Sequence, residues 1–205
     1  MPSNKAFIFD MDGVIIDSET WWDKLWFYQL RKPSLGYSIR SNYQDFKKLN
    51  PRLTWKEFFA KMNQQAKIIY CQAPLTPGIN QLLRKLVKDK YKIGLVSGST
   101  SNWIKYVQER LEYPIPVSLS LHDHPKLRTK PVPDGYLAVM KQLGVKAKET
   151  IILEDSQMGL DSAKASGAYV ICLTEHHPKN YHPQGANLYV KSLRELLIYL
   201  DSIQL

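Results

Sequence analysis

Cysteine is scarce in this chain, with only Cys71 and Cys172 among 205 residues. Two cysteines cannot build a disulfide framework, and neither has metal-site spacing, so both are expected to be reduced residues with structural roles. Long apolar runs are missing too. None approaches the roughly 18 residues that cross a bilayer, and Met1 to Lys5 leads into the first apolar stretch without a signal-peptide core, so the expectation is a cytoplasmic chain that spans no membrane. Acidic residues are in the minority, 19 against 28 Lys and Arg, for a net charge of +9. The basic residues nevertheless form no dense tract and no ladder of aromatics and arginines. A nucleic-acid partner is therefore disfavoured, and a solvated basic surface is expected. An anionic small molecule is compatible with the same charge.

Hydrophobic residues make up 44% of the chain, ample for a packed core in one domain or in a domain with an inserted lobe. The organising stretch runs from Phe7 to Asp17. Ala6 to Phe9 is apolar without solvent-facing alternation, as expected for a buried strand of a parallel sheet, and it ends in Asp10-Met11-Asp12-Gly13. Both carboxylates thus fall at the carboxyl end of a strand, where open α/β sheets bind ligands. Two carboxylates so close repel and need a cation, a shared proton or solvent between them. Mg²⁺ fits, because it prefers oxygen ligands and takes only one or two protein carboxylates. The plainer reading, an Asp that caps a strand-end turn, stands beside this one.

Between Asp17 and about Gln72 the pattern changes to helix. Trp22-Leu25-Trp26 and Trp55-Phe58-Phe59-Met62 follow three-and-four spacing, Thr54 is placed to cap the second of these, and Pro33 and Pro51 divide the segment. Aromatics at this spacing read first as core, with some able to roof a site. Trp26, Phe27, Tyr28 and Tyr37 add to the aromatic content, and Leu30 to the apolar. Residues 17–73 are accordingly expected to be a helical cap inserted into an α/β core of residues 1–16 and 74–205.

The core then alternates. Ile79, Leu82, Leu83, Leu86 and Val87 form a helical stripe, Tyr91 to Val96 a strand, and Ser97-Gly98-Ser99-Thr100-Ser101-Asn102 a polar turn into the next helix. That turn suits either helix capping by Ser or Asn or the cradling of a phosphate. Ile115 to Leu121 reads as a third strand. Lys130 lies just ahead of a helix that starts near Pro131-Val132-Pro133-Asp134, where its charge can neutralise a phosphate. A fourth strand, Thr150 to Leu153, ends in Glu154-Asp155-Ser156, and Tyr169 to Leu173 makes a fifth. Right-handed crossovers would bring Asp10, Asp12, Ser97, Glu154 and Asp155 to one sheet edge. His122 and His124 lack a third nitrogen or sulfur ligand, and His176, His177 and His182 sit among prolines, so both sets read as polar loops rather than metal sites.

Asp10-Met11-Asp12-Gly13-Val14 with Asp17-Ser18-Glu19, Ser97 after Gly94-Leu95-Val96, Lys130-Pro131-Val132-Pro133-Asp134, and Leu153-Glu154-Asp155-Ser156-Gln157-Met158-Gly159 occur in that order between Lys5 and Leu173. Together they resemble the four signatures of the haloacid dehalogenase-like hydrolases, in the β-phosphoglucomutase-like branch with a small helical cap. The resemblance implies a Rossmann-like three-layer α/β core and Mg²⁺-dependent hydrolysis of small phosphorylated metabolites such as sugar phosphates. It makes Asp10 the nucleophile that forms an aspartyl phosphate and Asp12 the acid and base. Ser97, Lys130 and the Gly98 N–H would hold the phosphoryl oxygens, and Gly13, Ser99 and Trp22 would border the substrate. Metal ligands would be Asp10, the backbone carbonyl of Asp12, Asp155 and, directly or through water, Glu154. One departure bears on the reaction: mutase members carry His five residues after the position of Asp17, where this chain has Trp22. That favours a phosphatase over a mutase. A catalytically idle binding protein with the same fold is the third possibility.

Overall fold

The structure, a computed structural model, describes residues 5–25 and 38–202. The apolar run forms strand β1 (Ala6–Phe9), every residue of which is buried. The other strands are β2 (Lys92–Ser97), β3 (Val117–Ser120), β4 (Thr150–Glu154), β5 (Tyr169–Leu173) and β6 (Leu188–Val190). All pair in parallel, in the order β3-β2-β1-β4-β5-β6. β1 therefore lies inside the sheet, with Phe9 opposite Leu95 on one side and Leu153 on the other. The strand order reverses at β1, so its carboxyl end opens onto the crevice where such sheets bind ligands.

Alternation along β1 divides the core between two layers. Phe7 and Phe9 join the cluster that includes Leu82, Leu83 and Leu86 of α4 (Ile79–Lys88) and Leu196 of α8 (Leu193–Ser202). Ile8 points to the other face and packs with Tyr136 and Val139 of α6 (Asp134–Leu143) and Leu160 of α7 (Gln157–Ala165). Helices on both faces of a parallel sheet make the three-layer α/β architecture read from the sequence.

Three helices lie between β1 and α4: α1 (Glu19–Leu25), α2 (Ile39–Leu49) and α3 (Trp55–Gln72). Thr54 caps α3 in both directions, accepting from the Glu57 N–H at 3.3 Å while its own N–H donates to Glu57 Oε2 at 3.0 Å. Phe58, Met62, Ala66, Ile69 and Tyr70 form the buried stripe of α3. α3 is fastened to α5 (Ser101–Gln108) and the residues after it. The Trp103 Nε1–H donates to Asn63 Oδ1 at 2.8 Å, and the Arg110 guanidinium donates to the carbonyls of Tyr70 and Ala73, each at 2.7 Å. The two crossings of the chain run side by side, with an antiparallel bridge between Ile16 and Leu75.

Several expectations change. β3 is shorter than Ile115 to Leu121, because the Ile115 N–H and carbonyl are taken by the Gln108 side chain rather than by a strand. Val87 is 48% exposed and leaves the α4 stripe, since Ile79, Leu82, Leu83 and Leu86 already complete one helical face. Cys172 is buried, and that burial pushes its thiol up to about 12, while Cys71 is exposed. Trp26, Phe27, Tyr28, Leu30, Pro33 and Tyr37 lie outside the described residues.

The two sides of α4 give a direct contrast. Leu83→Ala is expected to cost about 2–5 kcal/mol of stability and Val87→Ala less than about 0.5 kcal/mol, read from urea unfolding midpoints.

Candidate active site

At the end of β1 the backbone of Asp10 stays in register, its N–H donating to the Leu153 carbonyl at 3.0 Å. Gly13, at φ +77°, turns the chain, and a Cβ there would overlap the Asp155 carboxylate. Gly159, in the first turn of α7, does the same for Glu154: any side chain would occupy the place of its carboxylate. Two glycines thus make room for two buried acids delivered by the end of β4.

Lys130 reaches these acids from the segment before α6, which Arg128 and Asp134 tie together through paired guanidinium–carboxylate bonds of 3.0 and 2.9 Å. Its ammonium bridges Asp10 Oδ1 and Glu154 Oε1, the latter at 2.5 Å. The Tyr136 hydroxyl donates to the same Glu154 oxygen at 2.5 Å, and the Asp155 N–H donates to the other at 3.1 Å. Burial works against the Lys130 charge, yet Asp10 and Glu154 outweigh it and hold the ammonium pKa well above its ordinary value. Burial, reinforced by Glu154 and Asp12, pushes the Asp10 carboxyl well up despite Lys130. Asp155 is pushed up by burial and then by Glu154 and Asp10.

Asp10, Glu154 and Asp155 bring carboxylate oxygens within 4.8 Å of one another. Three carboxylates against one ammonium leave two negative charges when all are ionised, the complement of a divalent cation. Asp155 Oδ2 is buried with no partner, the state of an oxygen kept for a ligand. The donor set, all hard oxygen, fits Mg²⁺.

Asp12 is handled differently. Its Oδ1 accepts from the hydroxyls of Ser18 at 2.6 Å and Tyr70 at 2.7 Å, and its Oδ2 accepts from Ser99 at 2.9 Å and Ser97 at 3.3 Å. Four hydroxyls therefore fix the direction of this carboxylate. The helix-capping role open to the polar turn falls to Thr100, whose side chain accepts from the Trp103 N–H at 3.3 Å, so Ser97 and Ser99 are free to meet Asp12.

A cavity of about 90 Å³ lies against this cluster. Asp10, Asp12, Lys130 and Asp155 line it from the core, and Trp22, Asn42, Met62 and Tyr70 from the inserted helices. Gly98 and Ser99 also border it, and a Cβ on Gly98 would meet nothing within 4 Å, leaving its backbone approachable by a ligand. Of the expected residues, Gly13, Ser97 and Glu154 do not line the cavity. Gly13 is pressed against Asp155, Ser97 stands behind Asp12, and Glu154, with no exposed surface, is occupied by Lys130 and Tyr136.

The histidines lie in loops, and several have defined partners. His177 is no loop ornament: its Nε2–H donates to the Asp155 carbonyl at 2.7 Å, bracing the acidic loop. His176 Nε2 lies 3.1 Å from Thr76 Oγ1, where the chain returns from the insertion. His122 stacks on Phe59 at 5.3 Å, and His124 Nδ1 bonds the Ser120 carbonyl at 2.7 Å; among the described residues neither joins a metal-binding group. Sequence reasoning missed Tyr70, Tyr136, Ser18 and Asn42. The two tyrosines lie within apolar helical stripes that carry no local sign of a site, and Ser18 was quoted only as part of a motif.

A strand end bearing two acids, a buried lysine and a second acidic pair stand beside helices α1 to α3 at one crevice of a Rossmann-like α/β fold. The chain belongs to the haloacid dehalogenase-like hydrolases, whose family model matches residues 4–167. It is similar to an uncharacterized protein of Schizosaccharomyces pombe, 28% identical over 98% of this chain and 92% of the other. It is also similar to the fructose-1-phosphate phosphatase of Escherichia coli, 27% identical over 79% of this chain and 92% of that one. Among solved structures, a hydrolase from Pseudomonas syringae shares the fold at a TM-score of 0.78, with 20% identity over 97% of this chain and 99% of that chain.

The acidic cluster predicts a binding signature independent of turnover. Mg²⁺ is expected to raise the wild-type melting temperature, in proportion to a stabilisation of about 2.7 kcal/mol at a hundred times Kd, and Asp155→Asn to abolish that rise. Differential scanning fluorimetry with and without Mg²⁺ reads both.

Proposed function

We propose that the protein is a Mg²⁺-dependent phosphatase of small, hydroxyl-bearing phosphate monoesters, acting through an aspartyl phosphate on Asp10. The observation that carries this reading is the Asp10–Lys130 pair at the cavity, with Asp12 two residues on and turned to a separate set of donors.

The steps follow from the residues. Lys130 engages Asp10 Oδ1, and the remaining carboxylate oxygen attacks phosphorus. The bond from phosphorus to the leaving oxygen breaks, and Asp12 supplies the proton that leaves with the alcohol. Water then attacks the phosphoryl group, Asp12 takes its proton, and the bond from phosphorus to Asp10 breaks to release inorganic phosphate. Lys130 and the Gly98 backbone N–H would hold the non-bridging oxygens throughout. Mg²⁺ held by Asp10, Asp155 and the Asp12 carbonyl, with Glu154 beside them, would screen phosphoryl charge.

Two observations support the substrate class. The cavity is small, and Asn42 Oδ1 is buried in its wall with no partner, an acceptor available for a hydroxyl of the leaving alcohol. The fructose-1-phosphate phosphatase relative acts on a phosphate monoester of that kind by name. A mutase is disfavoured because Trp22 carries no acid–base group, its indole being packed at 5.7 Å against Trp103 and bonded to the Tyr70 hydroxyl.

Asp10→Asn is expected to lower Mg²⁺-dependent p-nitrophenyl phosphate turnover by a factor on the order of 10⁴ or more. Sustained turnover by a clean preparation of that variant would sink the assignment of the nucleophile. For the leaving group, wild-type enzyme should favour glycerol phosphate over propyl phosphate in kcat/KM, and Asn42→Leu should shrink that preference roughly tenfold. An unchanged preference removes Asn42 from substrate recognition.

A further inference from the structure

Tyr70 comes from the inserted helix α3, 58 residues from Asp12 in sequence, and its hydroxyl ends 2.7 Å from Asp12 Oδ1. Buried tyrosines usually find a hydrogen-bond partner, and a backbone carbonyl would serve to fill a core. Here the partner is the carboxylate two residues from the nucleophile. The direction of the bond is set from behind. An indole N–H only donates, so the Trp22 Nε1–H, 3.3 Å from the Tyr70 oxygen, makes that oxygen an acceptor and turns the tyrosine proton away from Trp22. The remaining neighbours are Asp12 Oδ1 and Ser99 Oγ, the latter at 3.0 Å and itself in reach of Asp12 Oδ2 at 2.9 Å.

The ring has little freedom. Tyr70 is 1% exposed, its ring lies 5.7 Å from that of Trp103 and 6.2 Å from that of Trp22, and its own carbonyl accepts from Arg110 at 2.7 Å. Core elements on one side and the inserted helices on the other therefore hold one hydroxyl in one place. Phenylalanine would fill the same space without the bond.

On the reading of Asp12 as the acid and base of a phosphatase, we propose that Tyr70, oriented by Trp22, is a positioning residue that aims the Asp12 carboxyl at the leaving oxygen. The insertion then contributes to the proton-transfer step itself as well as to enclosure of the substrate. Trp22, a donor with no acid–base group, supports the acid instead of shuttling a proton.

The test is a series of para-substituted phenyl phosphates, alike in shape and different in leaving-group basicity. kcat/KM reports the steps through departure of the phenol, and a misaimed acid penalises the more basic phenols most. Tyr70→Phe is expected to steepen the dependence of log(kcat/KM) on phenol pKa, so that phenyl phosphate loses roughly tenfold more than p-nitrophenyl phosphate. Asp12→Asn should steepen it further. A parallel fall across the series in Tyr70→Phe, or no fall, overturns the proposal, because a packing role moves all substrates together. Trp22→Phe keeps an aromatic ring and removes the donor; it should steepen the slope in the same direction, and it carries the test alone if Tyr70→Phe does not fold. A parallel fall in Trp22→Phe removes its orienting role. If Asp12→Asn itself leaves the slope unchanged, the assignment of Asp12 fails, whereas a steep Asp12→Asn beside a flat Tyr70→Phe refutes the positioning role alone.

Discussion

The Lys130 ammonium between Asp10 and Glu154 is the constraint on which the rest of the centre depends. Burying an ammonium is costly unless anions and hydrogen bonds surround it, and burying carboxylates is costly in the same way. Lys130 offsets part of that cost for two acids at once, but a third, Asp155, stands beside them with an oxygen that has no partner. With every carboxylate ionised the cluster keeps a net negative charge, which suits a further cation. Its surroundings follow from the same need. Tyr136 spends its hydroxyl on Glu154, His177 braces the Asp155 backbone, and glycine stands at 13 and 159 because the carboxylates fill the space a side chain would take.

Bringing those groups together requires contacts over long chain separations: Lys130 is 120 residues from Asp10. The parallel sheet solves this by topology. With β1 in the middle, β2 on one side and β4 on the other, three carboxyl ends lie side by side, and each can deliver polar residues to one crevice. The buried strands are rigid because both faces are covered, so the acids project from a scaffold with little room to relax.

This also explains which features were legible in the sequence. Asp10, Asp12, Ser97, Glu154 and Asp155 each fall at the end of a recognisable strand, and their place at one sheet edge could be read from the alternation of elements, whereas Lys130 could be placed only ahead of a helix until the motifs were taken together. Thr54 was legible because a capping box is local. Tyr70 was not. Its position in the apolar stripe of α3 is what a core residue shows, and only the packing of α3 on α5 turns its hydroxyl toward Asp12. Asn42 was hidden for the opposite reason: a polar residue on a helix reads as solvent-facing until the helix is seated over a cavity. Gly13 looked like a substrate-binding turn residue, whereas its lack of a Cβ serves Asp155, which no local pattern reveals.

The insertion gathers two tasks that the sequence kept apart. Asn42 on α2 and Tyr70 on α3 face the same cavity, one with an unpaired amide oxygen and the other with a hydroxyl on Asp12. On the proposed reading, the group that would meet the leaving alcohol and the group that would aim its proton donor are carried by adjacent helices, α2 and α3. A change of leaving group that shifted α3 would alter the direction of Asp12 along with the fit of the substrate. Trp103 and Arg110 resist such a shift by fastening α3 to the core. Selectivity can then vary through α2 while α3 keeps the acid in place, a division that follows from where the hydrogen bonds between lobe and core fall.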